Sequence, residues 1–137
     1  MNTFSLVVLA AEKPFYNGQC ESLVIPTTDG QYGIQAKHCD MIAAIVPGMI
    51  KMTLPGGEKT VAAVSEGLIK VEHGEVLLLV DTVERPDEID AIAAQRSADQ
   101  AKEAILQKKS IMDYNAAQAK MARAVSRLKT KRYGSKL

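Results

Sequence analysis

Gly67-Leu68-Ile69-Lys70-Val71-Glu72-His73-Gly74-Glu75-Val76-Leu77-Leu78-Leu79-Val80 has the pattern of two strands joined by a tight turn. Leu68, Lys70 and Glu72 alternate with Ile69 and Val71, the period of a strand with one face toward a core. His73-Gly74 turns the chain, and Val76 to Val80 is apolar at every position. Upstream, Phe4, Leu6 and Val8 alternate with Ser5 and Val7, and Ser22-Leu23-Val24-Ile25 runs into Pro26 and the turn cluster Thr27-Thr28-Asp29-Gly30. Met49 to Leu54 is closed by Pro55-Gly56-Gly57, and Thr60 to Val64 follows as a hairpin partner. Short strands separated by Gly and Pro turns predict an antiparallel β-sandwich or barrel.

Downstream the pattern changes at Pro86. Pro86-Asp87-Glu88 places a proline and two acids where the first turn of a helix accepts them. From there to Leu106 the chain is rich in Ala, Gln, Glu and Lys, with Ala94, Ala98, Ala101 and Ile105 at helical spacing. Gln107-Lys108-Lys109-Ser110 reads as a connector, and Ser110 with Asp113 resembles a capping box. A second helix follows, with Ile111, Tyr114, Met121, Val125 and Leu128 as its apolar stripe. A short connector predicts an antiparallel hairpin. The expected organisation is a β-sandwich over residues 1–85 and an α-helical hairpin over 86–137. Alanines in the hairpin bury little area each, so it should be weakly held and able to leave one surface for another.

A chain of 137 residues has room for one domain, or a small domain with an appendage. A hydrophobic share of 47% and a charged share of 24% place it among globular proteins. Aromatic content of 4% with no Trp means that Val, Ile, Leu, Met and Ala must build the core. No apolar run approaches the roughly 20 residues of a membrane-spanning helix. Met1 to Ala11 has no basic leader and breaks into charge at Glu12 and Lys13, so a cytoplasmic or peripherally bound protein is expected. Cys20 and Cys39 have no C-x-x-C spacing and are expected as reduced thiols. His38 and His73 do not complete a zinc set with them.

The net charge of +1 hides an asymmetry. Up to Arg85 acids outnumber bases, whereas from Tyr114 onward Lys120, Arg123, Arg127, Lys129, Lys131, Arg132 and Lys136 occur without an acid. Two halves of opposite sign imply two modules with different partners. No G-x-S-x-G, G-x-x-x-x-G-K-[ST] or G-x-G-x-x-G occurs, Pro55-Gly56-Gly57-Glu58 has the length of a hairpin turn, and no acid–base pair is recognisable. No catalytic site and no metal site is expected. Lys120, Arg123, Arg127 and Lys131 gather on one helical face, as a solvated face or as a grip on an acidic protein surface or nucleic acid. A small nucleic-acid-binding module is the alternative function. Against it, the chain offers no aromatic stacking platform, and its first module is acidic.

Val64-Ser65-Glu66-Gly67-Leu68-Ile69-Lys70-Val71, then Val76 to Val80 and Val83-Glu84-Arg85, resembles the pattern of the epsilon subunits of F-type ATP synthases. Gly30-Gln31-Tyr32-Gly33-Ile34 with His38 resembles that family's G-[ED]-[FY]-G-[IV] loop and downstream histidine. Glu88-Ile89-Asp90 and Ser126-Arg127-Leu128 continue the match over essentially the whole chain. The resemblance implies a ten-stranded sandwich and a two-helix hairpin in a non-catalytic central-stalk subunit. It would be peripheral on the cytoplasmic face of the bacterial plasma membrane, touching the membrane only through the complex. Implied partners are the gamma subunit, the membrane rotor c-ring and the catalytic beta and alpha subunits, with no nucleic acid. Asp29, Gly30, Gln31 and His38 match the rotor-ring and gamma region, and Lys120, Arg123, Arg127 and Lys131 the inhibitory contact with catalytic subunits.

Some members of that family bind regulatory ATP through I-D-x-x-R-A. Here Ile89 and Asp90 fit, and Glu84, Arg123 and Arg127 match other positions, but Ala93 stands in place of the arginine. Weak ATP binding or none is expected, and no other cofactor. Gln35-Ala36-Lys37-His38-Cys39-Asp40 also departs from the family's L-P-G-H-x-P.

Overall fold

A computed structural model describes residues 2–107 and 111–134. The predicted connector residues Lys108 to Ser110, the side chains of Gln107, Ile111 and Asp113, and Lys136 lie outside what is described. Ten strands come first: β1 (Phe4–Ala10), β2 (Pro14–Cys20), β3 (Ser22–Thr27), β4 (Gly30–Gln35), β5 (Met41–Ile45), β6 (Gly48–Thr53), β7 (Lys59–Val64), β8 (Gly67–Glu72), β9 (Glu75–Val80) and β10 (Val83–Glu84). Helices α1 (Ala91–Gln107) and α2 (Ile111–Gly134) follow.

The strands form two five-stranded sheets, ordered β2-β1-β9-β8-β5 and β10-β7-β6-β3-β4. The pairs are antiparallel except β1 with β9, which run parallel with Leu6 opposite Val76. Between the sheets lies an aliphatic core, in which Leu6, Val8, Leu23, Ile25, Ile34, Ile50, Ile69 and Leu78 are fully buried. The Pro55-Gly56-Gly57 turn joins β6 to β7 as expected. Gly56 and Gly57 both take positive φ, and the Leu54 amide closes the turn on the Glu58 carbonyl at 2.7 Å.

Strand β7 shows where the hairpin sits. Ala62 and Val64 belong to the inter-sheet core, yet Val61 and Ala63 on the opposite face are buried as well. Helix α2 covers that second face, lying across β6 and β7, while α1 packs on α2.

The helical segment starts later than the proline suggests. Pro86–Glu88 is a separate 3-10 turn, after which Ile89 returns to extended backbone and buries its side chain. Asp90 is the true N-cap. Its carboxylate accepts from the amides of Ile92 and Ala93 at 3.0 and 3.1 Å, satisfying donors that the helix start leaves open.

Candidate functional site

Lys120, Arg123, Arg127 and Lys131 do fall on one edge of α2; the two arginines reach acids of the sandwich, Lys131 reaches the turn before α1, and Lys120 reaches α1. Arg127 donates to both carboxylate oxygens of Glu84, at 2.7 and 3.1 Å, and Arg123 reaches Glu66 at 3.2 Å. The Lys131 ammonium donates to the Pro86 carbonyl at 3.1 Å, and Lys120 donates to Gln100 of α1 at 3.0 Å. Two of the four cations are therefore paired with acids of the sandwich. Around these pairs lies a cleft of about 870 Å³, bordered by Lys13, Glu66, Glu84, Lys120, Arg123 and Arg127.

The buried line of α2 differs from the expected stripe. Tyr114 is exposed, and Met121, Val125 and Leu128 are only half-buried. The residues that go under are Ala117, Ala124, Ser126 and Thr130. The end of α2 is tight against the turn before α1: a Cβ at Gly134 would overlap Pro86. Tyr133 accepts the Lys51 ammonium over its ring, 4.8 Å from the centroid. On α1, Ala94, Ala98 and Ala101 are buried and Ile105 half-buried, the spacing read from the sequence.

Asp29, Gly30 and Gln31 lie together and exposed at the β3–β4 turn and the start of β4. His38, in the loop after β4, is tied back to that strand. Its Nδ1 lies 2.7 Å from the Cys39 carbonyl, so Nδ1 carries the hydrogen, and Nε2 accepts from the Tyr32 hydroxyl at 2.8 Å. The two rings meet edge to face, 5.6 Å apart. Gln31 also borders the end of the hairpin interface, in a second cleft with Pro26, Met49 and Met121.

Sequence reasoning missed one feature, the outer face of the β2-β1-β9-β8-β5 sheet. The registers align Leu9, Leu79, Leu68 and Ala44 in one row, and Val7, Leu77, Lys70 and Ile42 in the next. Ile42 is 71% exposed, Leu68 42% and Leu79 37%, so two nearly apolar rows face outward. Lys70 is held at 2.7 Å by Glu72, and that bond raises the lysine pKa and lowers the carboxyl's. The signal was present in the sequence as the unbroken Val76 to Val80 run, but it became a surface only once β1, β8 and β5 were placed beside it.

The family model described as ATP synthase, Delta/Epsilon chain, beta-sandwich domain matches residues 3–86, and the one described as the long alpha-helix domain of the same chain matches residues 87–132. The chain belongs to the epsilon-chain family of ATP synthases. Among its relatives, the ATP synthase epsilon chain of Ruminococcus albus is 36% identical over 129 residues, covering 93% of this chain and 96% of the relative. That of Alkalilimnicola ehrlichii is 32% identical over 130 residues, covering 95% and 93%. In fold, the chain is similar to one in the Euglena gracilis mitochondrial ATP synthase (OSCP/F1/c-ring), with a TM-score of 0.81 at 17% identity over 90% of this chain and 78% of that one. A chain of the Tetrahymena thermophila mitochondrial ATP synthase central stalk/c-ring gives 0.70 at 15% identity, covering 93% and 95%.

In this epsilon-family chain the residues matching the ATP motif are already engaged. Asp90 caps α1, Ile89 is buried just after the 3-10 turn, and Arg123 and Arg127 are paired with Glu66 and Glu84. Glu84, Arg123 and Arg127 border the larger cleft, whereas Ile89 and Asp90 do not. Among the described residues, no helix is long and apolar enough to cross a membrane.

Proposed function

We propose that this chain is a non-catalytic central-stalk subunit that couples the rotor c-ring to gamma and restrains ATP hydrolysis through its hairpin. One observation carries the reading: the sandwich has its hairpin on one sheet and an uncovered apolar face on the other. A flat face of exposed Ile and Leu suits a lasting protein partner, and gamma is the partner assigned to it. The polar turn at Asp29, Gly30 and Gln31, with His38 beside it, is assigned to the rotor ring. The complex would hold the chain peripherally on the cytoplasmic face of the bacterial plasma membrane.

For restraint of hydrolysis, the hairpin leaves the sandwich and offers Lys120, Arg123, Arg127 and Lys131 to acidic segments of the catalytic beta and alpha subunits. Exposed ion pairs contribute about 0–1 kcal/mol each, which suits a switch between two surfaces better than a permanent lock. With Ala93 at the motif position and the two arginines engaged by glutamates, ATP binds weakly or not at all, and calorimetry showing tight binding would contradict this. Co-purification with gamma tests the coupling role. Ile42→Glu with Leu68→Glu should leave the sandwich folded by circular dichroism and abolish gamma capture. Undiminished capture would overturn the assignment of that face.

A further inference from the structure

Among the described residues three polar side chains are buried, and they divide by location. Ser65 lies at the edge of the sandwich, and its hydroxyl accepts from the Thr82 amide at 2.7 Å. Ser126 and Thr130 lie one helical turn apart on the docked face of α2, 7% and 0% exposed, and neither hydroxyl has a hydrogen-bond partner among the protein's atoms. A buried hydroxyl that has lost water and gained nothing destabilises the state that buries it. The cost falls on the docked state alone, because lifting α2 from the sheet returns both groups to water. Ser126 also lies at the border of the second cleft, of about 450 Å³, with its hydroxyl oxygen turned under the helix.

We propose that the Ser126 and Thr130 hydroxyls are a release element, which sets the hold of the sandwich on its hairpin below that of an apolar interface of the same shape. The proposal rests on the reading of a detachable hairpin and specifies what tunes its detachment. The ion pairs of Arg123 and Arg127 orient the docked helix, and the two hydroxyls keep that docking reversible.

Native-state hydrogen exchange on the full chain tests it, with release seen as α2 amides exchanging faster than those of β6 and β7. Ser126→Ala with Thr130→Val should slow α2 exchange by about tenfold, while strand amides that exchange by local opening with the hairpin still docked stay unchanged. Thr130→Val alone should give part of that slowing, and because Val and Thr have similar helix propensities, the gain would not come from a stiffer helix. Thr130→Ser, which keeps the hydroxyl, should give none. Equal or faster α2 exchange in the double variant overturns the proposal and leaves the detachable hairpin standing. If α2 of the unaltered chain exchanges only together with the sandwich, the detachable hairpin itself is overturned, and the proposal with it.

Discussion

Arg127 meets Glu84 as a fork on a carboxylate, with both side chains less than one third exposed. Its geometry places it above an ordinary surface pair, so a double-mutant cycle on Arg127→Ala and Glu84→Ala should return a coupling of about 1 kcal/mol. The more exposed Arg123–Glu66 pair should return less. Cys20 and Cys39 give a second test. Cys20 is fully buried, and burial pushes its thiol pKa up, whereas Cys39 is exposed. One thiol per native chain should react with a thiol reagent near pH 8, and two in denaturant. Above the ordinary thiol pKa the unfolded chain ionises Cys20 and the folded chain does not, so stability should fall as pH rises there; in Cys20→Ala this part of the alkaline loss should vanish. The basic row was legible from spacing alone. Its partners were not, because Glu66 and Glu84 lie 57 and 43 residues away and only the packing of α2 on β7 brings them near.

Among the elements, the strands with clear alternation, β1, β3, β6, β7 and β8, were readable, as was the tight β6–β7 turn. Strand β2 was not, because it lies at a sheet rim and its Pro14-Phe15-Tyr16-Asn17-Gly18 run is under no pressure to alternate. Strand β4, at a rim of the other sheet, is exposed at five of its six positions, with only Ile34 entering the core. The parallel pairing of β1 with β9 leaves no local trace, since it joins segments some seventy residues apart. Helix α1 shows a competing local preference. Pro86 and its acids look like a helix start, but burial of Ile89 forces extended backbone, and Asp90 then begins the helix. Asp90→Ala should cost the hairpin about 1 kcal/mol, read as earlier melting of helical circular dichroism than in the unaltered chain. Gly134→Ala should push the end of α2 away from Pro86 and weaken the Lys51 contact with Tyr133.

At the scale of the molecule, the sandwich is a plate with two different outer faces. One is apolar and uncovered by the rest of the chain; the other carries a hairpin that buries Ser126 and Thr130 and is tied by charge pairs. Opposite charge in the two halves of the sequence announced two modules, but not that each is the other's docking surface. Under the proposed function one basic row would serve two acidic surfaces in turn, the sandwich and the catalytic subunits. The rate of ATP hydrolysis by the assembled complex tests this most directly. Glu66→Gln with Glu84→Gln loosens only the sandwich side and should deepen inhibition, whereas Arg123→Glu with Arg127→Glu should relieve it, more so when Lys120 and Lys131 are also reversed. Opposite shifts are the predicted result; rates that move the same way in both sets, or in neither, would contradict a shared cationic edge.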